Sequence, residues 1–217
     1  MYCNGRKSEK DMERKLILAS GSPRRIELMK RLADAYDVIT ADIDESPVCG
    51  EKPDELVYRL SFLKARKVFE ETADCGPRIV IGADTVVALG DQVLGKPADA
   101  SDARRMLRAL SGSCHHVYTG VAILWDDPGA EESIGRERLV EASEVEFYPV
   151  TEEEIDRYIA SGEPFGKAGA YAIQLMGGLF VRAIRGDYSN IVGFPVSRIY
   201  HTMRRRGLIG DFPVKEL

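Results

Sequence analysis

The sequence predicts an α/β fold: one sheet of mixed strand direction with helices on its faces. Two observations carry this. In the first half of the chain, short apolar runs alternate with amphipathic helical segments; in the second, two β-rich stretches flank a single loop. Composition agrees with a globular chain. Of 217 residues, 44% are hydrophobic and 30% charged, which excludes disorder, and the glycines and prolines follow no collagen-like period.

Leu16-Ile17-Leu18-Ala19 reads as a buried strand that ends in Ser20-Gly21-Ser22-Pro23. Ile26, Leu28, Met29 and Leu32 then stripe a helix, with Ser22 expected as its N-cap and Pro23 at its first position. Residues 36–40 form a second candidate strand. The acidic stretch Asp42-Ile43-Asp44-Glu45 leads into a long amphipathic helix over 53–70, where Leu56, Leu60, Leu63 and Val68 recur at near-helical spacing. The apolar run from Arg78 to Leu89 is interrupted at Asp84 and followed by a Gly90-Asp91 turn, which predicts a strand pair.

A helix opened by Ser101 is expected to run to Leu110. Residues 116–125 and 138–148 are β-rich, and the loop 126–135 between them predicts antiparallel pairing. Thr151-Glu152-Glu153-Glu154 is a capping box for a helix to Ile159, which Ser161-Gly162-Glu163-Pro164 ends. After Gly166 a further β-rich region reaches Ile184, then a Gly186-Asp187 turn and a closing helix over 195–206. Residues 1–14 read as a polar, solvated extension, 15–207 as one domain and 208–217 as a tail.

Several functional classes are excluded at this level. A net charge of −5 argues against a chain whose main task is holding nucleic acid, yet leaves small anions in a cleft open. No signal-peptide core or run of about 18 apolar residues is present, so a cytoplasmic chain with no membrane partner is expected. The four cysteines fall in no metal-ligand spacing and read as reduced thiols. His115-His116 likewise has no partner at ligand spacing.

The residues with chemical promise are few. Ser20-Gly21-Ser22-Pro23-Arg24-Arg25 combines a flexible backbone, two hydroxyls, a helix start and two guanidiniums, which suits a phosphate, although a plain capped turn would look the same. Asp84 interrupts an apolar strand, where an unpaired carboxylate costs several kcal/mol; it either serves a site or caps a neighbouring N–H. Lys96 stands between Gly95 and Pro97, as a phosphate ligand or a solvated turn lysine. Asp42, Asp44 and Glu45 could offer oxygens to Mg²⁺, or form a solvated acidic loop. Lys64, alone on the long helix, gains interest only from its neighbours.

Four blocks carry a resemblance to a known family: Leu16–Arg25, Ile81-Gly82-Ala83-Asp84-Thr85-Val86-Val87, Leu94-Gly95-Lys96-Pro97 and Lys167-Ala168-Gly169-Ala170-Tyr171-Ala172-Ile173-Gln174. In order and spacing they resemble the Maf family of nucleoside triphosphate pyrophosphatases, from about Lys15 to Tyr200. The resemblance implies a long twisted mixed sheet with two lobes around a central cleft, akin to inosine triphosphatases, and commonly a homodimer. It implies hydrolysis between the α- and β-phosphates of a nucleoside triphosphate, giving the monophosphate and pyrophosphate.

Arg24, Thr85 and Gln174 resemble the subgroup acting on dTTP and UTP, in which they would select the substrate. The same resemblance makes Asp84 the catalytic residue and, with Glu45, the holder of a divalent cation, Mg²⁺ or Mn²⁺. Ser20, Ser22, Arg24, Arg25, Lys64 and Lys96 would bind the phosphates. The chain departs from the subgroup at one place: where Gly usually follows the Gln, Leu175 and Met176 stand here. Two other classes would use the same residues, a nucleotide-binding regulator of cell division with little turnover and an RNA binder, the latter opposed by the net acidity.

Overall fold

A computed structural model describes residues 14–130 and 133–210. The proposed N-terminal extension, apart from Arg14, lies outside them. Their strands are β1 (Lys15–Ala19), β2 (Asp37–Val38), β3 (Arg78–Leu89), β4 (Gln92–Leu94), β5 (Cys114–Asp126), β6 (Ile134–Phe147) and β7 (Val181–Arg185). The helices are α1 (Pro23–Met29), α2 (Pro53–Glu71), α3 (Ala100–Leu110), α4 (Glu152–Ala160), α5 (Tyr188–Val192) and α6 (Val196–Arg205). All seven strands join one mixed sheet in the order β2-β1-β3-β5-β6-β7, with β4 hairpinned onto β3.

β3 organises the molecule. It pairs in parallel with β1 as far as Gly82, antiparallel with β4 from Val87, and antiparallel with β5 along the other side. Between Gly82 and Val87, therefore, one side of β3 has no strand beside it, and Asp84 and Thr85 lie in that interval. Strand alternation sends the two to opposite faces. Val80 and Val86 share the parity of Asp84 and pack under α2, whereas Ile79, Ile81 and Ala83 pack with residues of α1 and α6 on the other face.

The long helix α2 lies unusually close to the sheet. A Cβ at Gly82 would collide with the Ser61 carbonyl, and one at Gly120 with the Val57 carbonyl. Gly120 pairs directly opposite Asp84, so these two glycines let the helix backbone approach beside the buried carboxylate. A third apolar cluster, around Phe147, Leu107 and Ile155, joins α3 and α4 to the far end of the sheet.

Several expectations change in detail. Ser22 does occupy the N-cap of α1, but its side chain makes no capping bond. α3 is capped by Asp99, whose carboxylate accepts the Asp102 N–H at 2.8 Å, rather than by Ser101. Residues 166–180 are not strand: they form 3₁₀ turns at Ala168–Ala170 and Met176–Phe180, with Gly169 and Ala170 at φ of 67° and 57°. The short helix α5 was not anticipated. Leu208, assigned to the tail, is buried against the α6 side of the core.

Candidate active site

A cleft of about 810 Å³ opens beside the unpartnered stretch of β3, within the usual range for ligand sites. Ser20, Ser22, Arg24, Arg25, Glu45, Lys64, Asp84, Thr85, Lys96 and Gln174 all line it. The structure thus brings together every residue that the family resemblance assigns to the site. Asp42 and Asp44 are not among its lining; the Asp44 carboxylate instead accepts the Ser46 N–H at 2.9 Å in a local turn.

At the centre stands Lys64. It follows Leu56 and Leu60 at four-residue steps on the buried side of α2 and is only 8% exposed. Its ammonium donates to Asp84 Oδ1 at 2.6 Å and pairs with Glu45 Oε1 at 2.7 Å. Asp84, 7% exposed, is thus a buried carboxylate with a charged partner, without which its burial would cost several kcal/mol. Burial opposes ionisation of Glu45, but the hydrogen bond from Lys64 and the charges of Lys64, Lys96 and Arg25 outweigh it and hold that carboxyl below its ordinary range.

Across the sheet, Arg25 is held as a fork. Its Nε donates to the Gly193 carbonyl at 2.9 Å, Nη2 to Thr85 Oγ1 at 2.9 Å and Nη1 to Ser20 Oγ at 3.2 Å. Burial lowers its proton affinity; the neighbouring Arg24 acts in the same direction, and the charges of Asp84 and Glu45 oppose it. Ser20 Oγ also accepts the Ser22 N–H, so its own proton is left for a ligand oxygen.

Behind Thr85 runs a buried relay: Thr85 Oγ1 lies 2.9 Å from Thr119 Oγ1, which donates to the Asn190 carbonyl at 3.1 Å. The Asn190 amide then reaches the Val117 carbonyl and Ser143 Oγ. Thr119 gives its proton to Asn190, and Thr85 Oγ1, which accepts from Arg25, lies within donating distance of both Thr119 Oγ1 at 2.9 Å and the Gly193 carbonyl at 3.4 Å.

Arg24 and Lys96 differ from these anchored cations. Neither has a hydrogen-bond or ion-pair partner among the described residues, and both face the cleft. Burial alone lowers the proton affinity of Arg24. Gln174 lines the opposite wall, its side-chain amide likewise unpartnered among the described residues. Leu175 has φ −123°, an extended backbone open to any residue, and stands 55% exposed on the same wall, so the departure at this position needs no backbone strain.

Sequence patterns missed Thr119 and Asn190, which act through register and burial, and they also missed Glu163 and Tyr158 behind the Gln174 loop. For Lys64 a signal was present, since it continues the Leu56–Leu60 row of an apolar helix face. His115 is fully buried, Nε2 at 2.9 Å from the Tyr171 hydroxyl, and burial pushes its pKa down to about 4. Cys49, Cys75 and Cys114 are free and exposed. No helix among the described residues is long and apolar enough to cross a membrane.

The cleft of this mixed α/β sheet thus sets a buried carboxylate–lysine cluster beside two cations, Arg24 and Lys96, that have no hydrogen-bond or ion-pair partner among the described residues, an arrangement that suits a small polyanion. The chain is a member of the Maf-like protein family, which it matches over residues 15–206. It is 43% identical over 192 residues to a dTTP/UTP pyrophosphatase of Bacillus cereus, covering 88% of this chain and 95% of that protein. A dTTP/UTP pyrophosphatase of Bacillus anthracis matches with the same identity and coverage. In fold, the chain is similar to a HAM1 protein from Coxiella burnetii, with a TM-score of 0.50 and 15% identity, covering 89% of this chain and 100% of that one.

Proposed function

We propose that this protein hydrolyses dTTP and UTP between the α- and β-phosphates, releasing the monophosphate and pyrophosphate. The observation that carries the proposal is the Glu45–Lys64–Asp84 cluster, set in a cleft with unpartnered Arg24 and Lys96 and the free amide of Gln174. The names of its 43% identical relatives support the pyrimidine choice.

The two carboxylates fit a divalent cation, Mg²⁺ or Mn²⁺. The Lys64 ammonium occupies the point on which Glu45 Oε1 and Asp84 Oδ1 converge, at 2.7 and 2.6 Å, so the cation would be held by the carboxylate oxygens that Lys64 does not take. Among the described residues no group of three or more acidic, His or Cys side chains could hold a metal, so phosphate oxygens and water would complete the shell, as Mg²⁺ prefers. When bound, the metal would lower the pKa of coordinated water and offset phosphate charge.

The chain's own residues would do the rest. Asp84, held by the Lys64 ammonium, accepts a proton from the water that attacks the α-phosphorus, while the bond to the α–β bridging oxygen breaks and pyrophosphate leaves with that electron pair. Arg24, Arg25, Lys64 and Lys96 neutralise the triphosphate, and Ser20 and Ser22 donate to its oxygens, because phosphoryl chemistry asks mainly for positioning and charge compensation. Gln174 pairs a donor and an acceptor with the N3–H and carbonyl edge of uracil or thymine. Thr85 and Arg24 complete the selection, Thr85 by holding Arg25. A homodimer, implied by the family resemblance, belongs to the same proposal.

Pyrophosphate release should be measured from dTTP, UTP, CTP, GTP and ATP with Mg²⁺ or Mn²⁺. Release from dTTP and UTP well above the others is expected. Release from purine triphosphates alone would overturn the base assignment, and no release by folded protein would overturn the reaction.

A further inference from the structure

The loop that presents Gln174 hangs on a side chain that none of the chemistry above uses. Glu163, half-buried at the end of α4, accepts the Gly177 N–H on Oε1 at 3.0 Å and the Met176 N–H on Oε2 at 3.1 Å. Its Oε1 also accepts the Tyr158 hydroxyl at 2.8 Å, and that hydroxyl oxygen accepts the Ala172 N–H at 3.2 Å. Tyr158 is itself fixed, buried in the core and edge-on to Phe180 at 5.1 Å.

The segment is therefore gripped on both sides of Gln174, at Ala172 before it and at Met176 and Gly177 after it. Two internal bonds close it further, Leu175 N–H to the Ala172 carbonyl at 3.2 Å and Gly178 N–H to the Leu175 carbonyl at 3.0 Å. There is no slack: a Cβ on Gly177 would stand 2.6 Å from the Tyr158 hydroxyl and 2.9 Å from the Ala172 nitrogen. The Gln174 amide has no partner of its own among the described residues, so its position in the cleft rests on this backbone.

We propose that Glu163, acting with Tyr158, is the positioning residue that sets base selectivity, by locking the 172–178 loop so that the Gln174 amide meets the base edge in one register. This rests on the pyrimidine triphosphate activity proposed above. A carboxylate suits the task because it accepts both N–H groups and the phenol at once through charge-assisted bonds. Glutamine would turn an N–H donor toward one of the three.

The test compares kcat and KM for dTTP and CTP in the wild type, Glu163→Gln, Tyr158→Phe, Gln174→Ala and the Glu163→Gln/Gln174→Ala double variant. Thermal unfolding and amide hydrogen exchange of residues 172–178 accompany it. Glu163→Gln is expected to raise the KM for dTTP about tenfold and to lower dTTP-over-CTP discrimination by a similar factor, with kcat changed less than about threefold. Tyr158→Phe, which keeps the packed ring, should shift both in the same direction, and the Met176 and Gly177 amides should exchange faster in both variants.

In the Gln174→Ala background, Glu163→Gln should add almost nothing, because both changes act on one contact. If the two effects multiply, or if KM and discrimination stay fixed while only the unfolding temperature drops, Glu163 is structural and the proposal is overturned with the activity intact. Wild-type protein that turns over no pyrimidine triphosphate overturns the underlying activity as well, a result visible before any variant is compared.

Discussion

Asp84 and Thr85 are neighbours in sequence whose side chains work on opposite faces of the sheet. The Asp84 carboxylate meets Lys64 at 2.6 Å beneath α2, while the Thr85 hydroxyl meets Arg25 at 2.9 Å on the side of α1. One strand thereby connects the carboxylate cluster to the anchored guanidinium, and a change at either residue should be read out differently.

Asp84→Asn keeps size and removes charge. Pyrophosphate release should fall about 10²–10⁴-fold, the span attributed to a positioned general base. Circular dichroism should show the fold retained, since Lys64 keeps Glu45 as a partner. Full activity in folded Asp84→Asn would remove Asp84 from the reaction.

Thr85→Val keeps the shape and deletes the acceptor that fixes Arg25 Nη2. The KM for dTTP and UTP should rise about tenfold, the loss of one hydrogen bond to a charged group. The kcat should change little. Steady-state kinetics on both nucleotides would check this, and an unchanged KM would show that Ser20 and Gly193 hold Arg25 without it.

Gly120→Ala introduces a methyl group against the Val57 carbonyl. Urea unfolding should show a loss of about 1–3 kcal/mol, typical of overpacking. Activity per folded molecule should also drop, because moving α2 moves Lys64 away from Asp84. A stable, fully active variant would mean that the helix adjusts without shifting the pair.

His115 gives a pH signature. Its pKa of about 4 in the fold lies below the ordinary 6.5, so between those values the unfolded chain binds a proton that the folded chain does not. Stability is therefore fully present above about pH 6.5 and falls as the pH drops toward 4, by roughly 3 kcal/mol in all. Urea unfolding at pH 7 and pH 5 should show this slope in the wild type and lose most of it in His115→Leu.

Much of the framework was legible because its periodicities are strong. The strand–turn–helix at 15–29, the long helix beginning at Pro53 and the Gly90-Asp91 hairpin all stand where alternation and turn chemistry put them. The segment 166–180 was not, and the reason is physical. Tyr171, Ile173 and Leu175 alternate like a strand, but left-handed backbone at Gly169 and Ala170 and the distant grip of Tyr158 and Glu163 impose turns instead. α5 is five residues long, too short to display a helical period. The site's charged members were visible as misfits, such as Asp84 in an apolar run. Thr119 and Asn190 were not, since a hydroxyl opposite another hydroxyl becomes informative only once strand register is known.

The opening beside β3 is set by where β1 and β4 stop, at Gly82 and Val87, and not by the side chains that line it. On the proposed reading, reaction chemistry and ligand choice are carried on separable pieces of chain: Asp84 and Lys64 sit on a strand and helix fixed by the core, whereas Arg24, Gln174 and Leu175 sit on the surrounding wall. Substitutions on the wall would then redirect the proposed activity to a different base without rebuilding the central pair, which makes this architecture easy to diversify and that pair hard to replace.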